Sequence, residues 1–376
     1  MRIAILKERR VGDMRVAATP DTVRRMVALG HSVTIEAGAG VGAGVRDGDY
    51  ASAGAQVGDD VASTLKDAAL ILKVRAPGDD ELKACPSGAG LVGLLEPYAD
   101  RASALAFARA GLTAVAMEFI PRITRAQSMD ALSSQANLAG YRAVIEGAAL
   151  YGRVLPMMMT AAGTVAAAKV FVMGAGVAGL QAIATARRLG GVVSATDVRP
   201  ASKEQVASLG AKFIAVEDEE FKAAETAAGY AKPMSVEYQA KQAELIASHI
   251  LKQDIVITTA LIPGRPAPTL VTEAMVRSMR PGSVVVDLAS AQGGNCPLSK
   301  PDEVVEIDGV KVVGFTNLPS RVAADASALY AKNILALLPL LTGEGGVFQP
   351  KWDDEIVKAA ALTHQGAVIH PSLKDA

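Results

Sequence analysis

The sequence predicts an α/β protein made of two Rossmann-like, doubly wound parallel-sheet domains joined by two long helices. Three observations lead there. Half of the 376 residues are hydrophobic but only 4% are aromatic, so the cores are built from Ala, Val, Leu and Ile, which suits parallel sheets covered by helices. One apolar run, Lys169-Val-Phe-Val-Met173, ends in the glycine triplet Gly174-Ala-Gly176-Val-Ala-Gly179 and then turns helical. Ahead of it, from Arg2 to Leu95, apolar runs alternate with helical segments and imply a sheet of their own.

In chain order, that first sheet is expected from strands Arg2 to Leu6, Ser32 to Glu36, Ala69 to Lys73 and Leu91 to Leu95, with helices from Pro20 to Leu29 and around Asp60 to Asp67. A glycine-rich turn, Gly38-Ala-Gly40-Val-Gly42-Ala-Gly44, has no helix directly after it and reads as a structural turn rather than a ligand loop. The stretch from Ser128 to Tyr151 is rich in Ala, Leu and Gln and free of proline, so it reads as a long helix leaving the first domain. A second long helix, Asp325 to Leu341, returns to it, with Pro339 bending or ending its last turn. Residues 1–132 and 325–376 then form a discontinuous N-terminal domain and residues 133–324 an inserted one. Ligands in such an arrangement are expected in the cleft between domains, at the carboxyl ends of the strands.

The inserted domain carries the chemical signal. Gly174 allows a tight turn, Gly176 lets the backbone approach a pyrophosphate, and Gly179 lets helix and strand pack closely, with the helix N-terminus facing the phosphates. The helix closes with Arg187-Arg188-Leu189-Gly190, and a second strand, Gly191 to Asp197, follows at once. Asp197 falls near the position, roughly 20 residues on, where a carboxylate accepts the ribose 2′-hydroxyl of NAD and repels a 2′-phosphate. NAD(H) is therefore favoured over NADP(H). Arg199 stands where an arginine can accommodate such a phosphate, but its plain reading is a solvated loop residue. Residues 217–253, between strands Lys212 to Val216 and Asp254 to Thr258, are about twice what one crossover helix needs. The surplus, around Asp218 to Met234, carries Gly229-Tyr230 and reads either as a mobile lid over the cofactor or as a surface excursion.

Several classes are disfavoured. A net charge of −1 and a pI near 6.5 give no general attraction to nucleic acid or anionic lipid. Cys85 and Cys296 make no disulfide framework, and Met1 to Lys7 begins as a strand without a signal peptide, which fits a reducing cytoplasm. His31, His249, His364 and His370 lack metal-ligand spacing, so no metal is expected. The charge-free run from Val170 to Ala186 is better explained as a buried βα unit than as a membrane span.

Three longer stretches carry a family resemblance. Pro121-Arg122-Ile-Thr-Arg-Ala-Gln127-Ser-Met-Asp130-Ala-Leu-Ser133 with its continuation to Arg142, Met157-Met-Met-Thr160-Ala-Ala-Gly-Thr164, and Ser320-Arg-Val-Ala-Ala-Asp325 resemble the NAD(H)-binding component of proton-translocating NAD(P) transhydrogenase. The resemblance covers the chain apart from a variable tail after about Leu341. It implies a homodimer, peripheral on the cytoplasmic face of the inner membrane, that docks on an NADP(H)-binding subunit and a membrane-spanning subunit. The implied reaction is hydride transfer from NADH to NADP⁺ coupled to proton movement. By the same resemblance, Arg122, Gln127, Asp130 and Ser133 surround the nicotinamide and its ribose, and Tyr230 belongs to a loop that closes on the nucleotide. Gly174, Gly176, Val177, Gly179, Asp197, Val198 and Arg199 hold the rest of the dinucleotide, and Gly229, Thr259 and Leu261 line its adenosine side.

Alanine dehydrogenase shares this fold, and Arg15-Val-Ala and Leu72-Lys73-Val resemble its substrate-binding arginine and lysine. Oxidising an amino acid requires acid-base groups beside the substrate carbon. The positions matching that enzyme's histidine and aspartate are Glu96 and Ala291, which argues against it. Hydride exchange between two nicotinamides needs no proton from the protein, only rings held close with water excluded. Arg122, Gln127 and Ser133 meet that demand without a histidine. A non-catalytic NAD(H) sensor is the remaining alternative.

Overall fold

A computed structural model describes residues 1–222, 234–262 and 264–374. The chain divides into two compact units, Met1–Gln135 with Pro319–Ala376, and Ala136–Leu318. Each is built on a parallel sheet, the class the composition predicts.

The first unit holds β1 (Arg2–Ile5), β2 (Ser32–Glu36), β3 (Gln56–Gly58), β4 (Leu70–Arg75), β5 (Gly90–Leu94) and β6 (Thr113–Ala116). Their spatial order is β3-β2-β1-β4-β5-β6 and every pairing is parallel. The winding reverses between β1 and β4, where open α/β sheets bind ligands. Ile3, Ala4 and Ile5 are fully buried because both faces of the sheet are covered. One cover is α1 (Pro20–Ala28). Proline opens it where no N–H is needed, the Thr22 hydroxyl accepts from the Thr19 N–H, and Val23 and Met26 point inward. Another is the helix Ala323–Leu341, which buries Tyr330, Ile334, Leu337, Leu338 and Leu341 in the same core. Residues 318–341 are apolar and long enough to cross a membrane by composition alone, yet half of that window is buried inside the protein, as in a core helix.

Several expectations in this unit need correction. Strands β3 and β6, Gln-Val-Gly and Thr-Ala-Val-Ala, are too short and too small-residued to stand out in sequence. The helix expected from Asp60 to Asp67 is only Val61–Leu65. Asp60 caps it through the Ser63 N–H, and Asp67 leaves it at positive φ. The glycine-rich turn does lead into helical structure, a 3₁₀ turn Val41–Ala43 and a helix Asp47–Ser52. Its Gly38 N–H is nonetheless taken by the Asp47 carboxylate at 2.9 and 3.1 Å, so that donor is satisfied by the chain itself.

The long helix α2 (Ala131–Tyr151) contains the division between the units. The second unit continues with a hairpin of β7 (Met158–Thr160) and β8 (Gly163–Val165), then β9 (Lys169–Met173), α3 (Val177–Arg188), β10 (Val192–Thr196) and β11 (Lys212–Phe213). It closes with α4 (Val236–Ile250), β12 (Ile255–Thr258), β13 (Val284–Asp287), β14 (Val304–Ile307) and β15 (Val310–Val313). The sheet order is β11-β10-β9-β12-β13-β15-β14, parallel except for the β14–β15 hairpin, whose turn residues Asp308 and Gly309 both have positive φ. The strand expected from Lys212 to Val216 stops at Phe213, because the Val216 N–H turns to the Gln242 side chain on α4. Gly229 and Tyr230, and with them the lid expectation, lie outside the described residues.

Candidate dinucleotide site

Gly174 and Gly176 sit between the end of β9 and the start of α3, Gly179 lies in the first turn of α3, and each has a different surrounding. Gly174 has φ +106°, and a Cβ added there would stand 2.4 Å from Thr259 Oγ1. At Gly179 a Cβ would lie 1.8 Å from the Gly174 carbonyl oxygen, so helix and turn approach as closely as two backbones can. A Cβ at Gly176 would meet nothing within 4 Å. Only there does the fold itself place no demand for glycine, which fits a backbone that must admit a ligand. Gly176 is also the N-cap of α3 and offers no side chain to the first-turn N–H groups, while Val177 beside it is exposed. These are the features of an anion-binding helix terminus, and the residues present fit a dinucleotide pyrophosphate.

The neighbouring strand ends complete this pole. The Thr259 hydroxyl donates to the carbonyls of Met173 and Gly174 at 3.3 and 3.2 Å, tying the end of β12 to the glycine turn. Leu261 is exposed two residues on. Asn295 holds this segment. Fully buried, it accepts from the Ala260 N–H at 3.0 Å and donates to the Ala260 and Pro268 carbonyls. Gly140 on α2 is a further support, since a Cβ there would lie 2.0 Å from the Ala178 carbonyl in the first turn of α3. The only sequence signal for Gly140 was a glycine inside a helical pattern; Asn295 had none.

Asp197, after β10, accepts at Oδ2 from the Ala175 N–H (2.7 Å), and so reaches the glycine turn directly. Arg199 departs from the expectation of a merely solvated loop residue, because its backbone N–H and Nε donate to Asp197 Oδ1, both at 2.9 Å, and its Nη2 to Oδ2 at 3.0 Å. Burial pushes the Asp197 carboxyl up, but the Arg199 and Ala175 hydrogen bonds outweigh it and hold the group below its ordinary value. Val198 between them is exposed.

The loop carrying Arg122, Gln127, Asp130 and Ser133 belongs to the first unit. Residues Thr124–Met129 form a 3₁₀ turn anchored by buried Ala126 and Met129, which leaves Gln127 exposed. Arg125 fixes the turn through Asp354 and Glu355, whereas Arg122 is exposed. Asp130 caps α2, accepting from the Ser133 N–H at 2.8 Å and the Ser133 hydroxyl at 2.5 Å. Asn333, which no pattern in the sequence singles out, donates to the Ser128 carbonyl and accepts from the Ser134 hydroxyl. The loop therefore presents Arg122 and Gln127 on a fixed frame.

At the β1–β4 reversal the first unit is filled by charge. Arg15 and Asp13 are buried and doubly hydrogen-bonded, at 2.9 and 2.6 Å, and Arg15 also donates to Gln135 at 2.9 Å. Lys73, equally buried, donates to both oxygens of Glu81 and lies 3.8 Å from Glu8. Burial works against the Asp13 carboxylate, but Arg15 and Arg75 hold it well below the usual range. Glu8, which accepts from the Val74 and Arg75 N–H groups, is pushed up to about 7 by burial despite Lys73. Glu96, at positive φ, is paired with Arg10 and Arg75. Arg15 and Lys73, the two cations that resemble a substrate-binding arginine and lysine, are thus each paired with a carboxylate of the chain itself.

Comparison with known proteins gives the chain a family. Residues 4–139 match the model of the alanine dehydrogenase/PNT N-terminal domain, and residues 143–371 that of the C-terminal domain. The chain is 55% identical over 379 residues to an NAD(P) transhydrogenase alpha-subunit polypeptide from Rhodospirillum rubrum, covering 99% of each. A crystal structure of transhydrogenase from Sinorhizobium meliloti superimposes with a TM-score of 0.90 at 56% identity, covering 98% of this chain and all of that one. An alanine dehydrogenase from Halomonas elongata is 30% identical, covering all of this chain and 96% of that enzyme.

Proposed function

The chain belongs to the alanine dehydrogenase/PNT family, and from that premise we infer that it is the NAD(H)-binding component of a proton-translocating transhydrogenase, passing hydride from NADH to NADP⁺ held on a partner subunit. The observation that carries this reading over alanine dehydrogenase is the burial of Arg15 against Asp13 and of Lys73 against Glu81. A keto acid would have to break these pairs in the interior, at a cost of several kcal/mol for each uncompensated charge.

Bound NADH supplies the hydride. The protein supplies position. In this reading the α3 N-terminus and Gly176 receive the pyrophosphate, Asp197 the adenosine ribose, and Thr259 and Leu261 the adenosine side. Arg122, Gln127, Asp130 and Ser133 orient the nicotinamide end with groups that hydrogen-bond but transfer no proton, as direct hydride exchange requires. Proton translocation and NADP(H) binding belong to the membrane-spanning and NADP(H)-binding subunits, and this chain acts as a homodimer peripheral to the cytoplasmic face of the membrane.

Reconstitution tests it. Mixed with an NADP(H)-binding transhydrogenase component, the chain should support NADH-to-NADP⁺ hydride transfer. NADH oxidation by pyruvate and ammonia, with no transfer to NADP⁺, would overturn the reading in favour of the dehydrogenase.

A further inference from the structure

We propose that Arg199 is a latch on Asp197, a guanidinium that the ribose diol must displace before the nucleotide binds. The proposal rests on the reading of Asp197 as the ribose carboxylate. A carboxylate offers about four acceptor positions. At Asp197 four donors already fill them: the Arg199 N–H and Nε on Oδ1, and the Ala175 N–H and Arg199 Nη2 on Oδ2. Two of the four come from the fixed backbone of the glycine turn and of residue 199, so only the guanidinium can leave. The geometry favours its leaving. The Asp197 side chain is nearly buried at 7% exposure, whereas that of Arg199 is 35% exposed on the solvent side of the pair.

The latch has two effects. With no nucleotide bound it keeps the carboxylate ionised and compensated. In competition it makes each ligand supply hydrogen-bond donors good enough to replace a paired guanidinium. A vicinal diol does so with two hydroxyls. A 2′-phosphate has no such donors and meets the carboxylate's charge, so it gains nothing by opening the latch, and discrimination against NADP(H) rests on Asp197 itself. Arg199, the residue whose position suggests tolerance of the phosphate, instead sets how tightly the diol is held.

The test uses the full chain and binding alone. NADH and reduced nicotinamide mononucleotide, which lacks the adenosine ribose, are titrated into wild type, Arg199→Ala, Arg199→Lys and Asp197→Asn, with unliganded thermal unfolding confirming the fold of each. Arg199→Ala should bind NADH about 3- to 10-fold more tightly, the scale of a partly exposed bidentate pair. Arg199→Lys, a point charge without the fork, should fall between. Affinity for the mononucleotide should not change with residue 199, which a merely structural effect on the glycine turn would not spare. Asp197→Asn should weaken NADH. If Asp197→Asn weakens NADH but Arg199→Ala is unchanged or weaker, the latch is overturned and Arg199 is a bystander or a direct ligand. If Asp197→Asn leaves NADH affinity intact, the ribose reading itself fails, and the latch with it.

Discussion

The hydroxyl of Thr259 stands 2.4 Å from where a side chain at residue 174 would begin, so the end of β12 closes the space that Gly174 leaves open. The same turn is closed from the other side by Gly179, whose Cβ would meet the Gly174 carbonyl at 1.8 Å.

These contacts separate glycines that serve packing from the one that serves binding. Gly179→Ala should lose roughly 1–3 kcal/mol of stability or more, because backbone rather than a flexible side chain is in the way. Gly176→Ala should unfold at nearly the wild-type temperature, yet bind NADH at least about tenfold more weakly, since its methyl would enter the space the pyrophosphate uses. Thermal unfolding paired with NADH titration reads both effects. Equal destabilisation by the two substitutions would show that Gly176 also serves packing.

Asp13→Asn leaves the buried Arg15 guanidinium without its counter-charge. Stability should fall by about 3–5 kcal/mol, measured by urea unfolding at neutral pH. Arg125→Ala, removing an exposed arginine from the Asp354 pair, should cost far less. Similar losses for both would contradict the burial argument.

Glu8 gives a pH dependence of defined sign. Its folded pKa, about 7, lies above the ordinary carboxyl value near 4.5, so the folded state holds the proton more tightly than the unfolded chain. This contribution is fully present below pH 4.5 and is lost as pH rises to about 7, of order ~3 kcal/mol in total. His31, His249 and His370 have depressed pKa values, by burial first, and act in the opposite direction as pH falls. The comparison of Glu8→Gln with wild type isolates the carboxyl: the variant should gain on wild type between pH 5 and 7.5. A constant difference across that window would rule out Glu8 as the titrating group.

Gln127→Asn shortens an exposed amide on a fixed 3₁₀ turn and leaves its anchors, Ala126, Met129 and Arg125, in place. NADH affinity should stay within about twofold while hydride transfer in the reconstituted system falls by about tenfold or more, because misplacing the ring costs rate rather than binding. A sensor would show no transfer to slow. A large loss of affinity with unchanged transfer would assign Gln127 to binding alone.

What the sequence could disclose was local. Gly174, Gly176, Gly179 and Asp197 are read within one βαβ unit, where spacing and chemistry are a few residues apart. The β14–β15 hairpin was equally open to reading, since Asp308-Gly309 between Ile307 and Val310 is a two-residue turn signal. Asn295 reaches back to Ala260, Asn333 to Ser128, and Arg15 to Gln135. Such partners are set by how strands and helices come together, and nothing in the neighbouring residues announces them. Arg199 escapes a sequence reading for another reason. Its partner is two residues away, but a strand-end turn is needed to fold the guanidinium back onto Asp197.

The filled charge network between β1 and β4 sets the two sheets apart in what completes them. The first unit carries its counter-ions on its own chain, so no metabolite is needed to complete it and its stability follows pH through Glu8. In the proposed reading the second unit gains stability by mass action as nucleotide binds. One fold, used twice in a single polypeptide, is thus completed by its own charges in one copy and, in the proposed reading, by bound nucleotide in the other.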